Sequence, residues 1–265
     1  MTIKRKIIAI VSLLVAIIVM ASIIFTNVLS VNASREYAAL KGFNIEGFNY
    51  STDKSVNNKV IKNGGTTLGN MSLWVGKYNL YAADNQTYTA LFIEARICAS
   101  HSKAKNNQMV IDIYHLDGKD SELVTYSPTE SYGGSSTVSE TIEIGINGEN
   151  IFAGYSFDVG RTYPNIDMLC YTYNNVEDTT TDMQRTGVQY VLNWYSPSSA
   201  GIVSPYHGEI IRKIAVIFKV DFNSNPNYDS DSDTFMVDFT SSLYYGEETY
   251  PENIKFYCGS KITGQ

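Results

Sequence analysis

The stretch Thr137–Val159, TVSETIEIGINGENIFAGYSFDV, decides how this chain is read. In its first arm Val138, Ile142, Ile144 and Ile146 share one side of a strand, with Glu140 interrupting them. Thr137, Ser139, Thr141 and Glu143 take the other side. In its second arm Ile151, Ala153, Tyr155, Phe157 and Val159 share a side, against Gly154, Ser156 and Asp158, with Phe152 the exception. A period of two is the mark of a strand with one dry and one wet face. Asn147-Gly148-Glu149-Asn150 between the arms is turn chemistry. A four-residue loop pairs Ile146 with Ile151, Ile144 with Ala153 and Ile142 with Tyr155. A two-residue Asn-Gly loop shifts the register by two and keeps the same faces.

The same texture runs outward in both directions. Apolar or β-branched runs recur at Met71–Tyr81, Tyr88–Ala99, Met109–Leu116, Ser121–Tyr126, Thr137–Ile146 and Ile151–Val159. They continue at Ile166–Tyr173, Gly187–Tyr195, Ile210–Phe222, Phe235–Tyr245 and Ile254–Cys258. Polar turns separate these eleven runs, and almost no stretch has a helical period. Only Ser34–Leu40 reads as a short helix, and Val56–Leu68, polar and Gly-rich, as a loop. Asp117-Gly118 predicts a hairpin joining Met109–Leu116 to the next run. The expected fold is all-β, a two-sheet antiparallel β-sandwich of jelly-roll type with about eleven strands and little helix.

The N-terminus has the layout of an export signal. Lys4, Arg5 and Lys6 precede an apolar run, Ile7 to Phe25, and Val31-Asn32-Ala33 fits a small-x-small cleavage site. Residues 1–33 are read as a signal peptide and 34–265 as a single extracytoplasmic domain. If uncleaved, residues 7–25 are long enough to anchor the chain in a bilayer. Either reading puts the body outside the cytoplasm, secreted or membrane-anchored. The Asn-, Ile-, Lys- and Tyr-rich composition points to a bacterial source.

The 265 residues are 44% hydrophobic and 18% charged, which suits a folded globular chain. Twenty Lys+Arg against 27 Asp+Glu give a formal charge of −7, so nucleic acid is excluded as a partner. Cys98, Cys170 and Cys258 are widely spaced with no CxxC, which removes zinc ribbons and thioredoxin chemistry. Buried thiols in apolar strands are expected, with one disulfide as the alternative.

No catalytic motif is present. The sequence has no G-x-S-x-G, no H-E-x-x-H, no P-loop and no dinucleotide fingerprint. His115, just before a turn, is expected to be exposed, and His207 follows Pro205-Tyr206 in a loop. Glu94, Asp112, Glu140, Glu143 and Asp158 lie in strands and are the candidates for a glycosidase acid pair, though alternation turns them to solvent. Asp229-Ser230-Asp231-Ser232-Asp233 offers alternating carboxylates at Asp229, Asp231 and Asp233, a candidate Ca²⁺ loop. Thr234 and Thr240 stand where a helix-loop-helix calcium site would place Gly and Glu.

Tyrosine is frequent, at 20 residues, and suits recognition because it joins rigid contact area to a hydroxyl. Trp194, Tyr195, Tyr206, Tyr244 and Tyr245 are the candidate ligand-binding residues. Trp194 also falls on the face of Val188, Tyr190 and Leu192, which reads first as core. The leading expectation is therefore a non-catalytic binding protein for a glycan or protein surface. A jelly-roll polysaccharide hydrolase is one alternative. The hairpin supplies the other, because a membrane β-strand also needs about 9–11 alternating residues. This Ser/Thr-rich hairpin in an exported, Tyr-rich, all-β chain resembles the stems of haemolysin- and aerolysin-type β-barrel toxins. The resemblance is confined to the hairpin. It implies a membrane partner, with Ile142, Ile144, Ile146, Ile151 and Tyr155 facing lipid and Glu140 as an acid on that face.

Overall fold

The computed structural model describes residues 43–45, 50–81, 87–116, 121–128, 139–147, 150–158, 167–177, 184–193, 208–220 and 234–259. Thirteen strands are present among them and no helix. One five-stranded sheet has the order β2-β3-β4-β11-β6. It is built from β2 (Tyr50–Asn63), β3 (Thr66–Tyr81), β4 (Thr87–Ala99), β11 (Gly208–Val220) and β6 (Ser121–Ser127). The other has the order β13-β12-β5-β10-β9. It is built from β13 (Glu248–Gly259), β12 (Thr234–Tyr245), β5 (Ala104–Leu116), β10 (Gln184–Asn193) and β9 (Asp167–Glu177). Every pairing within these two sheets is antiparallel.

The core lies between the sheets. Leu73, Val75, Leu91, Ile93, Val216 and Phe218 of the first sheet are buried in one cluster with Ile111, Ile113, Tyr190, Phe235 and Phe239 of the second. Each inward position is two residues from the next, as the alternation in the sequence requires. The Tyr190 hydroxyl, deep in this core, donates to the Pro128 carbonyl at 2.9 Å, so its polar end is satisfied. Lys59 of β2 pairs with Glu252 of β13 and ties two edge strands together.

Each of the eleven expected runs is strand over its described residues, so the two-sheet all-β reading holds. Three local expectations need correction. Val56–Leu68 is not a loop: it forms the end of β2, a turn at Gly64-Gly65 and the start of β3. Gly64 sits at φ 55°, where a Cβ is strained. Its Asn- and Lys-rich arm passes for a loop because β2 is an edge strand with few positions that need apolar side chains. Asp117-Gly118 does not close a hairpin between β5 and β6, because these strands belong to opposite sheets. The chain crosses the sandwich there, which a local turn signal cannot distinguish from a reversal. His115 is not exposed: it is 1% accessible and points between the sheets. Phe235 and Thr186, its register partners on β12 and β10, are also fully buried.

Candidate functional site

The Thr137–Val159 stretch is not part of either five-stranded sheet. β7 (Ser139–Asn147) and β8 (Asn150–Asp158) pair with each other, and β1 (Phe43–Ile45) adds to β7 in parallel. Ile146 pairs with Ile151, Ile144 with Ala153 and Ile142 with Tyr155. That is the register expected from the four-residue loop, with Asn147 and Asn150 themselves paired. Glu140 is opposite Phe157, at the base of the hairpin. β1 extends the apolar rows, since Phe43 pairs with Ile142 and Ile45 with Ile144. Polar positions pair likewise: Thr141 with Ser156 and Ser139 with Asp158.

β7 lies against β11 and β8 against β6, on the outer side of the first sheet. There the sheet is apolar. Trp74, Tyr78, Ala90, Phe92, Ala215 and Ile217 are 0–4% exposed, although they point away from the core cluster. β11 is buried on both faces, with Ile214, Val216 and Phe218 inward and Ala215 and Ile217 outward. The sequence carried a signal for this: Ala90–Ile93 and Ile214–Phe218 are unbroken apolar runs, and a strand loses its alternation when both faces are covered. That both faces of these strands are covered is legible there, and what covers the outer one is not. Further along the same outer face the surface turns polar. Arg96 Nε donates to Glu94 Oε1 at 2.8 Å and its Nη1 reaches Glu209 Oε1 at 3.3 Å. Glu94, expected in solvent, is therefore nearly buried beneath its arginine.

The outer face of the second sheet carries a polar network that sequence reading also missed. Asp112 and Asp238 are cross-strand partners, and Lys255 follows Asp238 in the same row. The Tyr173 hydroxyl donates to Asp112 Oδ1 at 2.5 Å. Arg185 sits 3.8 Å from Asp112 Oδ2 and lies over the rings of Tyr114 and Tyr173, at 5.2 and 5.5 Å. Lys255 Nζ is 2.9 Å from Asp238 Oδ2. Burial pushes the Asp112 carboxyl up, and Tyr173 and Arg185 pull it back. The two acids are thus each matched by a cation. Only cross-strand register, which a single sequence does not display, brings these residues together.

The other expected residues are placed as follows. Tyr245 packs at the core edge, edge-to-face with His101 at 4.9 Å, and Tyr244 is half-buried on β12. Trp194, Tyr195, Tyr206, His207, Asp229, Asp231 and Asp233 lie outside the described residues, as do residues 1–42. Among the described residues no group of three or more His, Cys, Asp or Glu is arranged to hold a metal. Cys98 and Cys170 are free thiols of intermediate exposure on different sheets, less buried than expected. Burial pushes the Cys170 thiol up to about 11 and also raises Cys98, so neither is an activated nucleophile.

Fold and site together define a two-sheet β-sandwich with a separate hairpin layer on one outer face. No family model matches the chain, and no curated protein does. Among solved structures it is similar to Clostridium perfringens delta-toxin, at 9% identity and a TM-score of 0.38, over 78% of this chain and 89% of that one. It is also similar to the membrane-inserted form of the Clostridium perfringens NetB toxin, at 9% identity, a TM-score of 0.31, and 78% and 91% coverage. A third, described as a pore forming protein, gives 9% identity, a TM-score of 0.33, and 79% and 90% coverage.

Proposed function

We propose that this chain is a pore-forming protein whose β7–β8 hairpin is the membrane stem, held against the sandwich until it is released. The supporting observation is that β7 and β8 pair in a sheet of their own with β1 and are strands of neither five-stranded sheet, so their departure leaves the strand pairing of both intact. Its arms are nine residues each, within the range a tilted membrane strand needs. The register puts Ile142, Ile144, Ile146, Ile151 and Tyr155 on one face. That face suits lipid, and the Thr/Ser face suits a water-filled lumen. One hairpin has two open edges, which lipid does not tolerate, so several copies must contribute arms to one closed barrel. The membrane is the partner, and an exported location follows from the same reading.

The test is dye release from lipid vesicles by the purified full chain. Release is expected, with SDS-resistant oligomers on the vesicles. Ile144→Asp should abolish release without altering the circular dichroism of the soluble protein, because a carboxylate in the bilayer costs several kcal/mol, roughly 2–4 at mid-depth. Equal release by Ile144→Asp would remove the hairpin from the bilayer.

A further inference from the structure

Large apolar side chains are exposed in few places. Among the described residues they are Val56 and Val60 of β2, Leu169, Tyr171 and Val176 of β9, and Tyr257 of β13, at 42–56%. All but Tyr257 therefore fall on two strands. Both are edge strands, β2 of the first sheet and β9 of the second. They lie on opposite sides of the sandwich, because Lys59 ties β2 to Glu252 of β13, and β13 is the far edge from β9.

On each strand these residues face outward. Val56 pairs with Trp74, which is outside the core cluster, and Val60 is on the same side of β2. Leu169 and Tyr171 alternate with Met168 and Cys170, which pack on the core. Val176 pairs with Arg185, which reaches Asp112 on the outer face. Tyr173, between them, is held on that face by its hydrogen bond to Asp112. The two apolar stripes thus point away from the core in opposite directions, at opposite edges. Two copies laid like overlapping tiles bring the β9 stripe of one onto the β2 stripe of the next.

The charges select the same pairing. β9, DMLCYTYNNVE, begins at Asp167, ends at Glu177 and has no Lys, Arg or Pro. Edge strands are ordinarily protected by Lys and Pro, as β13 is by Lys255 and Pro251. Two β9 strands would set acid on acid in either direction. β2 carries Lys54, Lys59 and Lys62 against Asp53, a local surplus of base in a chain of net charge −7. Two β2 strands would set base on base. β9 on β2 is the combination that matches both sign and apolar surface.

We propose that the outer face of β9 docks on the outer face of β2 in a second copy of this chain. The contact is heterologous, so it repeats from copy to copy and closes a ring where the rotation permits. It rests on the pore reading only in naming how copies that share one barrel meet. β2 is at the far edge of the first sheet from β6, which the hairpin lies against, so a neighbour docks without displacing the hairpin.

The test uses two variants of the full chain with Cys98, Cys170 and Cys258 replaced by alanine. One carries Tyr171→Cys and the other Val60→Cys, both at exposed positions. Each alone and the two mixed are treated with a short flexible bismaleimide, on phosphatidylcholine–cholesterol vesicles and in concentrated solution, and dye release is followed on the vesicles. Linked dimer should accumulate about tenfold more in the mixture than in either variant alone, the ratio that a preference of about 1.4 kcal/mol gives. Lys62→Glu in the β2 variant should lower the mixed yield severalfold at low salt, and a yield indifferent to it would overturn the charge match that selects β2. Equal linking by Tyr171→Cys alone would overturn the proposal in favour of a symmetric dimer. A mixture that links no better than the single variants in both settings would overturn it outright. The two readings fail separately. Dye release without mixed linking keeps the stem and removes this surface, and mixed linking without release keeps the surface and removes the pore.

Discussion

At the scale of single residues, one buried and one half-buried group shape how the sandwich answers to acid. Desolvation, with Lys77 nearby, lowers the His115 pKa from 6.5 to about 4. The unfolded chain therefore takes up a proton between those values that the folded chain refuses. Stability is expected to fall as pH drops from about 6.5 to 4 and then to level off, by on the order of 3 kcal/mol from this residue. Urea unfolding at pH 7 and pH 4 should show the loss, and His115→Leu should remove most of it. Asp112 works in the opposite sense, because its raised carboxyl gains relative to the unfolded state as it protonates. Tyr173→Phe is expected to cost about 1.5–3 kcal/mol at neutral pH, since it removes a hydrogen bond to a charged acceptor. That difference should shrink once Asp112 is protonated. A constant penalty across the pH range would mean that packing, and not the hydroxyl, is what matters. Neither role was legible in the sequence. His115 reads as a strand-end residue by position, and the depth of a strand end depends on what the opposite sheet places above it.

At the scale of elements, the hairpin is where sequence and structure agree most closely. Period-two alternation fixed its faces, and the Ile146–Ile151 pairing followed from parity and loop length. What alternation cannot say is which sheet a hairpin joins. β1 shows the consequence: among the described residues, three from an N-terminal strand extend the hairpin sheet at that edge. Asn44 and Glu143 are partners there. Neighbouring strands lie about 4.8 Å apart, within disulfide reach. With the three native cysteines replaced by alanine, the pair Asn44→Cys and Glu143→Cys should tether the hairpin. Dye release should then be lost when the pair is oxidised and restored by reductant. Release by the oxidised protein would show that the hairpin need not part from β1. The Asp117-Gly118 signal teaches the converse. A strong local signal predicted pairing between β5 and β6, yet each strand found partners in a different sheet.

At the scale of the whole molecule, the apolar part of one outer face of the sandwich is closed to water. Exposing Ile217 of β11, the strand against which β7 lies, costs about 1.5–3 kcal/mol, so the covered state outweighs the uncovered one by roughly 10–10² from this residue alone. The hairpin is therefore expected to stay seated in solution and to leave only where lipid and neighbouring copies compensate. Trp74, 2% exposed on β3 of the same face, tests whether the uncovering reaches beyond β11. The chain has two tryptophans, so Trp194→Phe isolates it. Its emission should move to the red in step with dye release, and not at all in the oxidised tether. Dye release with unchanged Trp74 emission would mean that the face stays covered and that the hairpin moves without baring it.

By itself the sequence determined an all-β chain, the eleven main strands, the two faces of the hairpin and the absence of recognised catalytic motifs. These follow from local periodicity and residue chemistry, which a chain carries wherever it folds. Tertiary structure alone decided that β5 and β6 part company, that Asp112 meets Asp238, that His115 is enclosed with Lys77, and that the hairpin forms a layer of its own. Each of those depends on pairing between residues far apart in the chain. A strand's alternation states that one face wants cover and does not state what will supply it.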